Sequence, residues 1–368
     1  MANTGDSDTE EVNISDNDAE LRVQQFSEIT RTDTICAHMF LQRNNWDVEM
    51  AIDKFFHEMG LPQNVGVTLS ASKQSTSTTT TCDTVETMLA KCGEATQRSA
   101  NSTTGTGVFR IITWNVDGLD KGNLMTRTKA AIQIIESHNP DAVFLQEIVP
   151  ESYKIYEKHL SDKYTLLFGA SKPLNSTYFT VLLVRNQTTR ISSFEIIPFR
   201  TTTMGRELLR AKITFDNSVN IVLMTTHLES CKEHSTERIR QLCTCFEEIQ
   251  RVSNDSVVIF GGDLNLRDKE LLEVNVDVKN LIDVWEANGS QKDLKFTWDC
   301  LTNDNLGTVS RFKPQARYDR LFIKMPPGAR FSLTPNGFEL IGRQRIRSIM
   351  CFPSDHYGIL ANFKVAAG

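Results

Sequence analysis

Between residues 21 and 60 apolar side chains recur at helical spacing. Val23, Phe26 and Ile29 fit one stripe, Ile35, Met39 and Phe40 a second, and Val48, Ile52, Phe55 and Phe56 a third. Thr32 or Asp33 can cap the second helix and Asp47 the third; Gly60 followed by Pro62 closes the unit. Three short helices in roughly 40 residues lie near the lower limit for a free-standing core. Residues 1–20 are acidic with almost no apolar content, and residues 63–107 are rich in Ser, Thr and Gly, with ASKQSTSTTTT at 71–81. Neither can bury enough apolar surface to order itself, so the first is expected to be a disordered tail and the second a flexible linker. From residue 108 the pattern changes again. Continuous apolar runs at 111–114, 142–145, 178–184, 220–224, 257–260, 321–323 and 359–365 read as strands. Residues 128–137 and 237–250 read as helices, the latter with Ile239, Leu242, Phe246 and Ile249 on one face. Strands without polar alternation are covered on both faces, so 108–368 is expected to be one α/β layered domain.

Composition is that of a globular protein, 40% hydrophobic and 23% charged over 368 residues. Net charge is −6, but Asp6, Asp8, Glu10, Glu11, Asp16, Asp18 and Glu20 all precede the first basic residue, Arg22. The acidic start hides a more neutral body, so net charge does not argue against a local basic groove. The eight Cys show no paired metal spacing, and reduced thiols in a cytosolic or nuclear setting are expected. No apolar run is long enough to span a membrane, and a soluble, membrane-free protein is expected.

Polar clusters follow directly on the buried strands. IITW leads into Asn115, Val116, Asp117 and Gly118; AVFL into Gln146 and Glu147; IVLMT into Thr226, His227, Leu228, Glu229 and Ser230; VVIF into Gly261, Gly262, Asp263, Leu264 and Asn265. Ser354, Asp355 and His356 precede the last strand. Strands of one sheet bring such groups to a common rim. Glu147 and Asp117 are hard carboxylates of the kind that bind Mg²⁺, the His and Asn side chains are donors for charge developing on phosphate oxygens, and Asp263 is placed to position or deprotonate a water. Walker, HExxH and GxSxG motifs are absent. Singly, each of these residues reads as a turn, a cap or a satisfied polar group; the ordered set carries the argument.

That ordered set, TWNVDGLD, LQE, THLES, GGDLNLRD and FPSDHYGI, resembles the endonuclease/exonuclease/phosphatase superfamily over essentially all of 108–365. The resemblance implies a four-layer α/β sandwich with two central mixed sheets, and hydrolysis of phosphodiesters with a divalent metal. It implies Glu147 as the main Mg²⁺ ligand, with Mn²⁺ able to substitute, and Asp117 associated with the metal partly through water. Asp263 would activate the attacking water; Asn115, Asn265 and His356 would hold the phosphate; Asp355 belongs to the same terminal motif, and Asp319 would orient the histidine. Leu119 completes the first motif. His227, Leu228, Glu229, Ser230, Cys231 and Lys232, with Leu266 and Arg267, match segments along the path of the substrate's 5′ end. Tyr178, Arg206, Trp298 and Tyr318 match positions that contact DNA, although core packing is the reading of the three aromatics from the residues alone. Arg317 and Arg320 read as a solvated face. Tyr318 and the Arg-rich stretch Arg343, Arg345, Arg347 depart from the branch pattern.

Within the superfamily the resemblance is to the branch that opens 5′-phosphotyrosyl DNA ends, the scar of a trapped type II topoisomerase, and leaves a 5′-phosphate. Other members, abasic-site or RNA-directed, are the alternative. FLQRNNWDVEMAIDKFF is similar to a UBA-like domain, implying a module for ubiquitin at 21–62; Trp46 pins its turn and Asp47 caps its third helix. A ubiquitin-dependent adaptor with an inactive catalytic fold is a further alternative. A monomer, nuclear and also cytoplasmic, is expected from the implied substrate.

Overall fold

The computed structural model describes residues 16–30, 32, 34–58, 107–169, 177–305, 313–327 and 330–367. The chain divides into a small N-terminal unit and a large unit. The small unit holds α1 (Asp16–Thr30), α2 (Thr34–Arg43) and α3 (Val48–Glu58). α1 begins inside the stretch expected to be disordered, because Ala19 and Val23 already pack on the core; residues 1–15, the expected helical stop at 59–62 and 63–106 of the expected linker lie outside the described residues. The α2 stripe differs from the expected one. Ala37 and Leu41 are fully buried and Phe40 only partly. The side chains of Ile29, Ile35, Met39 and Phe56 lie outside the described residues. Phe26 closes the core, its ring 5.6 Å from Phe55 in edge contact. Trp46 is buried at φ +61, and Asp47 Oδ1 accepts from the Met50 amide at 2.9 Å, capping α3.

The large unit is a sandwich of two six-stranded mixed sheets. Its elements run β1 (Val108–Asn115), α4 (Leu124–His138), β2 (Ala142–Ile148), α5 (Pro150–Leu160), β3 (Tyr164–Leu167), β4 (Phe179–Arg185), β5 (Thr189–Pro198), β6 (Glu207–Phe215), β7 (Val219–His227), α6 (Ser235–Arg251), β8 (Val257–Asp263), α7 (Asp268–Leu271), β9 (Leu281–Asp283), α8 (Val284–Ala287), β10 (Trp298–Asp299), β11 (Gln315–Ala316), β12 (Asp319–Lys324), β13 (Phe331–Ile341) and β14 (Gly358–Ala367). One sheet has the order β13-β14-β1-β2-β4-β3, the other β5-β6-β7-β8-β12-β9. β1–β2 and β7–β8 are the parallel pairs, each joined by a crossover helix, α4 or α6.

Facing sides of the sheets share one core: Ile111, Ala142 and Phe144 from the first meet Leu209, Leu223, Ile259 and Leu321 from the second. α4 and α5 cover the outer face of the first through Ile132, Ile135 and Tyr156, and α6 covers the second through Leu242, Phe246 and Ile249. This gives helix, sheet, sheet, helix, with the strands covered on both sides. Both crossover pairs run out at the same rim, where Asn115 sits level with Gln146 and His227 with Asp263.

Candidate active site

Asp263 is the hub. In the second sheet it lies between His227 on β7 and Asp319 on β12. From across the sandwich Asn115 Nδ2 donates to Asp263 Oδ2 at 2.9 Å. His227 Nε2 is 3.3 Å from the same oxygen and His356 Nε2 is 4.0 Å from it. The Asn265 amide donates to Oδ1 at 2.9 Å, so both carboxylate oxygens are fixed. His356 Nδ1 stands 2.7 Å from Asp319 Oδ2. The loop that carries His356 is held from beneath: Trp114 Nε1 donates to the His356 carbonyl at 2.9 Å, and Ser354 Oγ to the Asn115 carbonyl at 2.7 Å.

Two glycines make this approach of backbones possible. A Cβ on Gly262, at φ +143, would lie 2.0 Å from the Thr226 carbonyl oxygen; a Cβ on Gly118 would lie 2.1 Å from that of Glu147. Glu147 itself takes φ +58 inside β2, where the register with β4 shifts between Leu145 and Ile148. This bulge re-aims the side chain. Glu147 is therefore the penultimate residue of β2, in left-handed backbone at a bulge.

Burial by itself pushes the Asp263 carboxyl up, but His227, His356 and the Asn115 hydrogen bond outweigh it and hold the group below the usual carboxylate range. Burial disfavours a charged His356, yet Asp319, Asp355 and Asp263 outweigh that and raise it well above an ordinary imidazole. His227 has a set tautomer. Arg206 Nη1 lies 2.8 Å from His227 Nδ1, and a guanidinium can only donate, so Nδ1 accepts and Nε2–H faces Asp263.

The residues fit a divalent cation. Among the described residues the Glu147 carboxylate makes no hydrogen bond or ion pair and stays half-exposed, while Asp117 Oδ2 stands 3.5 Å from Arg127 Nη1. Asp263, Asp319 and His356 also present ligand atoms within 4.8 Å of one another. Both Asp263 oxygens and Asp319 Oδ2 are engaged by Asn115, the Asn265 amide and the two histidines, a protonated His356 offers no lone pair, and the remaining Asp319 Oδ1 is buried, so the half-exposed Glu147 carboxylate is the more accessible ligand.

Around the hub, Arg206 Cζ sits 5.0 Å over the half-buried Tyr178 ring, and Tyr318 is also half-buried, 6.4 Å from His356 ring to ring. Trp298 is buried and donates to Asp355 Oδ2 at 3.3 Å. Ser230 and Arg267 are half-exposed on the rim loops, Leu119 is exposed, and Cys231 and Lys232 follow in the loop before α6. Several expected contact residues turn inward instead. Leu228 and Leu266 belong to the core under α6, and Val116 to the core under α4. Glu229 is fully buried, accepting from the Thr203 and Met204 amides at 2.6 and 3.1 Å beside Arg206, so its side chain braces the 202–206 segment. Arg317 and Arg320 are likewise buried, not a solvated face: Arg317 pairs with Asp283 at 2.8 Å and Arg320 with Asp268.

Three side chains that sequence reasoning missed hold the rim together. Arg127 of α4 is buried and donates to the carbonyls of Gly122, Asp117, Asp120 and Pro353, stapling the loop after β1 to the loop before His356. Arg238 of α6 donates to the Glu229 carbonyl at 2.7 Å and pairs with Glu270, which accepts from the Arg267 amide at 2.8 Å. A charged residue on a helix reads as solvated in sequence, so nothing marked these three.

A four-layer sandwich with Asp, Asn, Glu and two His gathered at one strand-end rim is the architecture of a phosphoester-cleaving enzyme. The chain belongs to the Endonuclease/Exonuclease/phosphatase family, which residues 112–356 match, and is a hydrolase acting on phosphodiester bonds. Its relatives are more particular. Tyrosyl-DNA phosphodiesterase 2 of Rattus norvegicus is 35% identical over 352 residues, covering 92% of this chain and 89% of that protein. The human protein of the same name is 33% identical, covering 93% and 91%. Among solved structures, Danio rerio tyrosyl-DNA phosphodiesterase 2 complexed with single strand DNA product is 37% identical with a TM-score of 0.65, covering 70% of this chain and 98% of that one. The Caenorhabditis elegans protein is 31% identical with a TM-score of 0.64, covering 99% of each chain. Residues 21–62 match the UBA-like domain.

Proposed function

We propose that the chain hydrolyses the 5′-phosphotyrosyl bond between DNA and the tyrosine of a trapped type II topoisomerase, leaving a 5′-phosphate. The observation that carries this is the fixed Asp263 carboxylate between His227, Asn115 and His356, in a chain whose relatives are tyrosyl-DNA phosphodiesterases and one of which was solved with single strand DNA product. Held as a carboxylate, Asp263 orients a water and takes its proton as the water oxygen attacks phosphorus, then returns that proton to solvent, from which the released phenolate is protonated. His356, kept protonated by Asp319, donates from Nε2 to a phosphate oxygen as charge builds there; the Asn115 and Asn265 side chains serve the same charge. The P–O bond to tyrosine breaks. Its phenol ionises near pH 10, so the oxygen leaves as a stabilised anion with little need of a strong general acid. Glu147 and Asp117 would hold Mg²⁺, or Mn²⁺ in its place, and the bound ion supplies Lewis-acid neutralisation of phosphate charge. Tyr178, Tyr318 and Arg206 line the way for a single-stranded end through stacking and charge.

The N-terminal module is proposed to bind ubiquitin, acting by raising local concentration at ubiquitin-marked adducts. Titration of the full chain with ubiquitin by calorimetry tests this; absence of heat at high micromolar ubiquitin contradicts it. A monomer acting in the nucleus, with a cytoplasmic pool, completes the reading; light scattering and imaging of the tagged chain test these. The bond broken is tested by turnover in ¹⁸O-water. One ¹⁸O in the 5′-phosphate and none in tyrosine is expected, whereas label in tyrosine or a 5′-hydroxyl product contradicts the reading.

A further inference from the structure

Residues 342–351, GRQRIRSIMC, link β13 to the loop that carries His356 and contain three arginines and no acidic residue. The link is a closed turn: the Ile346 amide donates to the Cys351 carbonyl at 2.8 Å and the Met350 amide to the Ile346 carbonyl at 2.8 Å. Arg343, Arg345 and Arg347 are all exposed. Arg343 Cζ lies 5.7 Å over the Tyr357 ring and Arg345 Cζ 4.8 Å over the Phe352 ring. Those two rings are buried and bracket Pro353, Ser354, Asp355 and His356 in the chain. The turn is also seated on the site from its other end. A Cβ at Gly342, φ +76, would lie 2.5 Å from the Trp114 ring, and Trp114 holds the His356 carbonyl.

A guanidinium held over a buried ring loses less side-chain freedom on binding, and exposed N–H donors of this kind suit a bidentate phosphate contact. Arg345 pairs with exposed Asp304 and donates to the Met350 carbonyl at 2.6 Å, so it also braces the turn. Among the described residues Arg343 and Arg347 have no acidic partner. The turn itself holds three cations and no carboxylate; Asp304 pairs with Arg345, and Asp299 and Asp120 act on Tyr357 and Cys351 without pairing with Arg343 or Arg347, so these two guanidiniums leave a local cationic edge next to the site.

We infer that the 343–347 turn grips the sugar-phosphate backbone of the DNA that carries the 5′ end, outside the cleft where the reaction occurs. The inference rests on the proposed DNA substrate. It assigns Arg343 and Arg347 to affinity rather than to chemistry. Contacts of this kind add to substrate binding equally in ground and transition states, so they set KM and salt dependence and leave kcat alone.

The test compares Arg343→Gln/Arg347→Gln with the parent chain on 5′-phosphotyrosyl oligonucleotides of increasing length and on a 5′-nitrophenyl ester of a single nucleotide. For the long oligonucleotides KM is expected to rise about tenfold at unchanged kcat, and the slope of log affinity against log salt to flatten by about one to two. The mononucleotide ester is expected to show no change, and Arg343→Lys/Arg347→Lys to recover most of the salt slope. Unchanged KM and salt slope in a folded Gln variant overturn the inference, as does an equal loss on the mononucleotide. Binding of plain single-stranded oligonucleotides by anisotropy separates this from the reading it rests on. If the parent chain released no tyrosine, a variant-sensitive, salt-dependent affinity would still support the turn as a backbone grip.

Discussion

Asp263 owes its low pKa and fixed orientation to neighbours from four different stretches of chain: His227, His356, Asn115 and the Asn265 amide. Asp263→Asn keeps the shape and most of these contacts but removes the anion proposed to orient water. Turnover is expected to drop at least about 100-fold with oligonucleotide affinity retained, as read by single-turnover kinetics and anisotropy. Activity within a few-fold of the parent would remove Asp263 from the chemistry. The pH dependence follows from His356. Its pKa is raised above the ordinary value, so the proton stays on through neutral pH and is lost only on the alkaline side. No limb from His356 is expected near pH 6.5 in the rate profile, and activity falls as pH rises through the raised value. Asp319→Asn removes the leading carboxylate that raises it and moves that limb toward neutrality; a limb that does not move means Asp319 does not hold the proton. Much of this was legible in sequence, because Asn115, His227 and Asp263 each end an apolar run and strands of a sheet end together. Which of these side chains face one another was not legible. Asp117, Glu147 and Asn265 all take positive φ at the rim, and the direction of a side chain after such a turn is set by backbone contacts from other strands.

At the scale of elements the rim is held by buried arginines reaching across loops. Arg238 of α6 is fully buried and its counter-charge is Glu270, which also caps the turn at Arg267. Glu270→Gln leaves the guanidinium without its anion and is expected to cost about 3 kcal/mol in urea unfolding, with the lost rim geometry showing as reduced kcat. Burial pushes the Glu270 carboxyl up, but Arg238, the Arg267 amide and Ser235 outweigh it and hold its folded pKa down. The pair's contribution is therefore present above the ordinary glutamate range and is lost as pH falls through the depressed folded value. In Glu270→Gln the unfolding free energy should fall less with acid than in the parent; an equal slope contradicts the assignment. Buried strands such as β2, β7, β8 and β14 were visible as unbroken apolar runs, since both faces are covered. β5, β6 and β13 were not singled out. Their polar positions, as in TRISSFEIIP and FSLTPNGFELI, face solvent, and β5 and β13 are edge strands. The Glu147 bulge was equally hidden, because nothing local distinguishes it from a strand end.

For the whole molecule, a helical module that matches the UBA-like domain accompanies a hydrolytic sandwich. The groups proposed to be catalytic all come from the sandwich, so a chain lacking residues 1–107 is expected to hydrolyse a free oligonucleotide substrate at a rate within about twofold of the parent. A larger loss in steady-state kinetics would mean that the N-terminal region serves the chemistry. The ordered motifs made the sandwich legible over its length, whereas the burial of Val116, Leu228, Glu229 and Leu266 beside the hub was not. The central claim is tested most directly by incubating the protein with Mg²⁺ and matched oligonucleotides bearing 5′-phosphotyrosine, 3′-phosphotyrosine or an abasic site. Rapid tyrosine release from the 5′ substrate alone, abolished by chelator, is the predicted result. A folded protein that leaves the 5′-phosphotyrosyl end intact, or that prefers the 3′ or abasic substrate, would contradict the account.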